Sequence, residues 1–208
     1  MLERTFLAIS LCLLWACGDE TPDSGPGPLV DNTRWEPSDG GQEHFGAAPE
    51  GSECLLEPMD CDEEYPWPAG GCVTFDPTST CIASYVPECF QGFTVLAVYT
   101  RMPDNRIPLC NWLTLEQPSL RAIRPGDQVE VRAYHFRLTE PVPGEARMSF
   151  VIGDEVAFDE TVLIPSDSQL LSATWTATKD YPAGTPLLWH VENHGTNEYL
   201  LIEVNVLE

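Results

Sequence analysis

The chain has 208 residues, 43% of them hydrophobic and 10% aromatic, which is enough for a core and too apolar for a wholly disordered protein. Its formal charge of -23 is uneven: residues 18–92 hold 16 acidic side chains against Arg34 alone, and no basic residue occurs between Arg34 and Arg101. A phosphate-binding face would have to be assembled from scattered arginines inside a negative field, so nucleic acid is not expected as a partner.

The opening stretch, MLERTFLAISLCLLWACGDE, sets Arg4 and the α-amine before an apolar run from Phe6 to Trp15, followed by Ala16-Cys17. That run is too short to cross a bilayer as a helix, which takes about 20 residues. Residues 1–16 therefore read as a signal peptide. The segment Leu14-Trp15-Ala16-Cys17 resembles the lipobox of bacterial lipoproteins, in which the signal peptide is cut before a cysteine that then carries lipid. The resemblance is confined to the start of the chain. It implies lipidation at Cys17, a membrane partner reached through that anchor, and residence in the bacterial cell envelope, facing the periplasm or the exterior.

From Gly18 to Glu53 there are seven Gly, five Pro and nine acidic residues, with few aliphatic side chains. Such a composition does not bury enough apolar surface to offset ordering, so residues 17–53 are expected to be a lipid-anchored, flexible acidic linker. Trp35 and Phe45 are isolated aromatics there, expected to lack partners.

Residues 54–92 form a cysteine-rich segment. With export implied, Cys54, Cys61, Cys72, Cys81, Cys89 and Cys110 read as disulfide-forming, and none of their spacings is the CxxC of a zinc ribbon or a thioredoxin-type site. The six allow 15 connectivities, which the sequence does not resolve. Five of them lie before residue 93, so if all six pair, Cys110 is bonded to one of those five. The cluster Asp60, Asp62, Glu63 and Glu64 suggests calcium, but Tyr65 stands where an EF-hand loop needs Gly and Gly71 where it needs Glu. A solvated acidic loop is the better reading, while Tyr65 and Trp67 fit an exposed aromatic platform and a miniature core equally well.

Residues 93–208 read as all β. Period-2 runs at 93–100, 109–115, 127–138, 147–152, 155–164, 169–176, 186–192 and 198–207 alternate with turn punctuation. Gly153-Asp154 offers a two-residue hairpin turn, with Met148, Phe150 and Ile152 facing the same way as Val156 and Phe158. Arg124-Pro125-Gly126-Asp127 is a second turn. In the last run Leu200, Ile202, Val204 and Val206 are expected to face inward. In the third, Val129, Val131 and Ala133 share one parity while Tyr134, Phe136 and Leu138 take the other, as at a bulge, at a switch of sheet, or in a strand buried on both faces. Eight such strands imply an antiparallel β-sandwich, with a jelly roll as one form of it.

No GxSxG, HExxH, P-loop or GxGxxG occurs, and His190-Val191-Glu192 lacks the P-C-x-x-C of a zinc deaminase. The expected function is a non-catalytic β-sandwich binding or structural module on a cell-envelope lipoprotein, taking a carbohydrate or protein ligand and needing no cofactor. Its candidate ligand loop holds Glu192, Asn193 and Asn197. The alternative is a copper or zinc protein using His135, His190 and His194, imidazoles being suited to both metals. Parity sets His190 on the solvent side of its strand, opposite Trp189 and Val191, and leaves His194 in a loop. Trp112, Trp175 and Trp189 could line a carbohydrate platform, but the parity of the last two favours the core. Mass spectrometry of unreduced peptides is expected to find Cys110 bonded to one of the five earlier cysteines, a bond contributing about 2 to 4 kcal/mol; a free Cys110 thiol would remove the idea.

Overall fold

The computed structural model describes residues 24–38, 40–46, 56–58, 73–75, 82–90, 93–101, 112–139, 142–193 and 197–207. The elements are β1 (Gly27–Pro28), β2 (Glu36–Pro37), the one-turn helix α1 (Gln42–Phe45), β3 (Leu56–Pro58), β4 (Val73–Phe75), β5 (Ile82–Phe90), β6 (Phe93–Arg101), β7 (Trp112–Pro118), β8 (Gln128–His135), β9 (Gly144–Ile152), β10 (Glu155–Ile164), β11 (Gln169–Thr176), β12 (Pro186–Asn193) and β13 (Asn197–Val206). The signal peptide, Cys17, five of the six later cysteines and the acidic cluster at 60–64 lie outside the described residues; Cys89 lies in β5, opposite Thr94 of β6.

Two antiparallel sheets face each other. The first runs β11-β8-β13-β6-β5 with β1 beside β13, and the second runs β10-β9-β12-β7-β2. From β6 onward the chain passes between sheets so that β6-β13-β8-β11 faces β7-β12-β9-β10, the strand order of a jelly roll. All eight expected strands are present. Alternation puts Leu96, Val98, Val129, Val131, Ala133, Leu171 and Val204 of the first sheet against Leu113, Leu115, Met148, Phe150, Ile152, Leu187, Trp189 and Val191 of the second in one buried cluster. Each large side chain so buried stabilises the fold by about 1.5 to 3 kcal/mol.

The turns follow their residues. Gly153 has φ 60°, which glycine adopts at no steric cost, and the flanking Ile152 and Glu155 are paired. At 124–127 the Asp127 N–H donates to the Arg124 carbonyl (3.0 Å) while Asp127 Oδ2 accepts from the Arg124 N–H (2.8 Å), closing the turn from both sides.

Two bulges change the expected facing. Between Val156 and Phe158 the register of β10 shifts, so Phe158 and Ala157 are buried while Val156 is 41% exposed and does not share the core face. In β13 the shift falls between Leu201 and Glu203. Tyr199, Leu201, Val204 and Val206 face the core, whereas Leu200 and Ile202 join Val95, Ala97, Tyr134 and Phe136 in a separate cluster on the outer side of the first sheet. The mixed parity at Ala133 has a different cause: β8 is regular, with Val129 to His135 inward at alternate positions and apolar contacts on both faces.

The expectation of a free linker through 17–53 does not hold for residues 24–46. Leu29, Val30 and Trp35 are buried in the main core, Trp35 standing edge-on to Phe150 at 6.3 Å. Composition concealed this because the docking is done by individual polar grips. Arg121 donates to the carbonyls of Gly25, Pro26 and Pro28 (2.8–2.9 Å), and a Cβ on Gly27 would meet its guanidinium at 2.8 Å. Asn32 Nδ2 lies 3.0–3.2 Å from the carbonyl oxygens of Thr94, Leu201 and Ile202, at the bulge of β13, and its Oδ1 accepts from Trp35 Nε1 (3.1 Å). The cysteine-rich segment differs from expectation too, since Ile82–Phe90 is the edge strand of the first sheet, paired along its length with β6. Replacing Asn32 by Ala strips partners from buried carbonyls and an indole N–H, and is expected to lower unfolding stability in urea by about 3 kcal/mol. Asn32→Asp, which sets a carboxylate against carbonyl oxygens, is expected to cost more.

Candidate outer-face site

Strand alternation gives the second sheet an outer face built from Trp112, Thr114 and Glu116 of β7, Leu188, His190 and Glu192 of β12, Arg147, Ser149 and Val151 of β9, and Asp159 of β10. His190 lies at its centre. Thr114 Oγ1 is 2.9 Å from His190 Nδ1, and Glu192 Oε1 is 3.2 Å from Nε2. A carboxylate only accepts, so the proton sits on Nε2 and Nδ1 accepts from the threonine hydroxyl. Arg147 then links the acids: its Nη1 reaches Glu192 Oε1 at 3.5 Å, and its Nε and Nη2 hold both oxygens of Asp159 at 2.6 and 3.0 Å. Ser149 Oγ donates to Asp159 Oδ1 (2.6 Å).

His190 was expected on a solvent-facing surface, yet it is fully buried. The cover is Phe45 of α1, whose ring lies flat on the imidazole with centroids 4.0 Å apart and an interplanar angle of 9°. Trp112 meets the same imidazole edge-on at 4.6 Å, and Phe45, Val151 and Leu188 form a buried cluster against which Trp112 packs. Desolvation holds the His190 pKa below its ordinary 6.5, opposed by the Glu192 hydrogen bond. Hydrogen bonding by Arg147 holds Asp159 below the usual carboxylate value, so it is ionised at neutral pH and not a proton donor.

The order Thr114, His190, Glu192 has the form of a nucleophile, a base and an orienting acid. The described residues around the three supply no oxyanion hole. Thr114 is 6% exposed and lies on a sheet whose N–H groups run in the sheet plane, between β12 and β2, not up toward its face. The covering segment turns its own amides inward, with His44 and Phe45 N–H donating to the Gly41 carbonyl and Gly46 N–H to that of Gln42. Among the described residues, no preorganised oxyanion donors are formed over the threonine.

The other sequence candidates are dispersed. His135 points into the core from β8, its Nδ1 bonded to the Phe136 carbonyl (2.9 Å), so the body of the second sheet separates it from His190 and the two do not share an ion. His194 lies outside the described residues, and among those described no group of three or more potential ligands could hold a metal. Asn193 and Asn197 were expected in an open ligand loop, but they are 0% and 7% exposed, and Asn197 Oδ1 accepts from Thr139 N–H (3.2 Å). They brace one end of the sandwich. Glu192 alone of that trio reaches the outer face. Trp189 is core, Trp175 is half-buried against Tyr181 at 5.7 Å, and Trp112 is half-buried on the outer face. Sequence reasoning missed Phe45, Arg147 and Asp159; the matching parity of Arg147 with Ser149 and Val151 in β9 was the signal available for the second of these.

In an NMR pH titration the His190 ring is expected to titrate below 6.5. With its folded pKa depressed, the group contributes stability present above pH 6.5 and lost as pH falls through the folded value. Glu192→Gln, which removes the charge favouring protonation, is expected to lower the pKa further, and Phe45→Ala to raise it toward 6.5 by readmitting water. A wild-type value above 6.5 would contradict the burial described.

No protein-family model matches this chain, and no curated protein matches it. Among solved structures it is similar to a cyclase from Fischerella sp. in its apo form (12% identity, 64% of this chain and 91% of that one, TM-score 0.38). It is also similar to the N-terminal cellulose-binding domain of a β-1,4-glucanase from Cellulomonas fimi (14%, 60% and 84%, 0.38) and to a carbohydrate-binding module specific for non-crystalline cellulose (10%, 57% and 79%, 0.38). Likenesses at these scores carry no ligand or activity over to this chain.

Proposed function

We propose that this protein is a cell-envelope lipoprotein whose β-sandwich binds carbohydrate, without catalysis, on the outer face of the β10-β9-β12-β7-β2 sheet. The observation that carries the reading is the composition of that face: an aromatic ring, Trp112, beside the Arg147, Glu192 and Asp159 network. Sugars offer an apolar ring face for stacking and a rim of hydroxyls, and paired carboxylates held by a guanidinium supply acceptors and donors at fixed spacing for that rim. Anionic ligands suit it less, because the chain carries -23 overall and the Arg147 guanidinium already holds two acids. The envelope part of the reading rests on Leu14-Trp15-Ala16-Cys17.

Cells fed a clickable fatty acid are expected to label the wild-type chain and not Cys17→Ser. Affinity electrophoresis through gels holding soluble β-glucan, xylan, galactan or mannan is expected to retard the protein in at least one. Trp112→Ala and Arg147→Ala should each weaken that retardation by about tenfold or more, the scale of one lost stacking or charge-assisted contact. Equal label on both chains would sink the anchor, and no retardation in any gel would sink the carbohydrate reading.

A further inference from the structure

The cover over His190 is attached in an unusual way. Ser38 N–H donates to the Thr114 carbonyl, extending the β2 ladder, and Ser38 Oγ donates to Glu116 Oε2 while accepting from Gly40 N–H. Beyond that point the backbone hydrogen bonds between described residues of Gly41–Gly46 close on the segment itself. What joins it to the sheet is side-chain contact: Phe45 on His190, Val151 and Leu188, with the Arg147 guanidinium 5.7 Å from the Phe45 centroid. Gly41 (φ 81°) and Gly46 (φ 79°) flank α1, each in a backbone region that glycine enters without strain. Among the described residues, lifting the segment therefore breaks no sheet hydrogen bond, and it has two permissive pivots.

We propose that Gly40–Gly46 is a displaceable strap and that the Phe45 ring occupies the seat of one pyranose ring of the ligand. This rests on the carbohydrate reading above and adds a place and a gate to it. The seat is a flat slot the size of one six-membered ring. His190 forms its floor and Trp112 adjoins the imidazole edge-on, while Arg147, joined to Glu192 and Asp159, lies at its rim. A pyranose matches that footprint, its axial C–H face meeting the rings and its equatorial hydroxyls meeting the charged rim. While the strap is closed the seat is filled, so the apparent affinity is the intrinsic one reduced by the fraction of molecules that are open.

The test pairs hydrogen exchange with affinity electrophoresis in the four polysaccharide gels, using the full chain. The His44, Phe45 and Gly46 amides are expected to exchange at least about 100-fold faster than those of Leu188 to Val191, through opening that leaves β12 protected. Phe45→Ala is expected to be retarded at about tenfold lower polysaccharide concentration than wild type, and Phe45→Leu, which keeps apolar cover without a flat ring, to fall between them. Strap amides as slow as those of β12 would overturn the gate while leaving carbohydrate binding standing. Equal or weaker binding by both Phe45 variants, in a gel that retards wild type, would overturn the seat. Fast strap exchange with no retardation of wild type or either variant would overturn the carbohydrate reading and the seat with it, and leave the strap as a moving element.

Discussion

Asn32 spends one side-chain amide on four jobs. Its Nδ2 meets three carbonyl oxygens from β6 and β13, and its Oδ1 fixes the indole of Trp35. Two of those carbonyls, of Leu201 and Ile202, lie at the bulge in β13, where the extra residue takes local backbone groups out of the regular ladder. Once Asn32 is seated, Trp35 is placed against Phe150, β2 pairs with Glu116 and Leu115, and Ser38 continues that edge. The segment over His190 begins two residues later. Removing Asn32 therefore acts on the outer face through a chain of dependent placements, although it touches none of the residues there.

That dependence explains what could be read from the sequence and what could not. The strands from 93 onward were legible because burial of one sheet face writes a period of two, and because Arg124–Asp127 and Gly153-Asp154 punctuate it. Bulges defeat parity locally, since a single inserted residue exchanges the faces of everything beyond it, which is why Leu200 and Ile202 lie opposite to their expected side and Val156 is exposed. The N-terminal segment was illegible for another reason. Leu29, Trp35 and Phe45 carry no periodicity, and each is buried by a partner more than 80 residues away in the chain, such as Phe150 or His190. Parity did set His190 on the side opposite Trp189, but nothing within β12 announces that a phenyl ring lies over it.

Charge shapes the outer face as much as shape does. In a chain with 33 acidic and 10 basic residues, two carboxylates converge on Arg147 there. A lone guanidinium holding two acids is oriented at both ends, which fixes the rim in position before any ligand arrives and reduces the ordering that binding would otherwise require. The neutral His190 beneath Phe45 adds no charge of its own, so the centre of the face is apolar while its edge is ionic.

If Cys17 is acylated as proposed, the docking of residues 24–46 bears on how far the sandwich stands from a bilayer. A spacer free from Cys17 to Glu53 would reach on the order of 120 Å, placing the sandwich anywhere within a wide hemisphere. Ser24 is instead bridged to Ala122, and Arg121 grips the backbone from Gly25 to Pro28, so the docked chain begins at Ser24, and the contour from Cys17 to that point is at most about 25 Å. Under that proposal, the edge that carries β1 would be the one turned toward the lipid. A chain of net charge -23 would be repelled by an anionic surface over a Debye length of about 8 to 10 Å, which under the same proposal would hold the sandwich near the full extent of that contour.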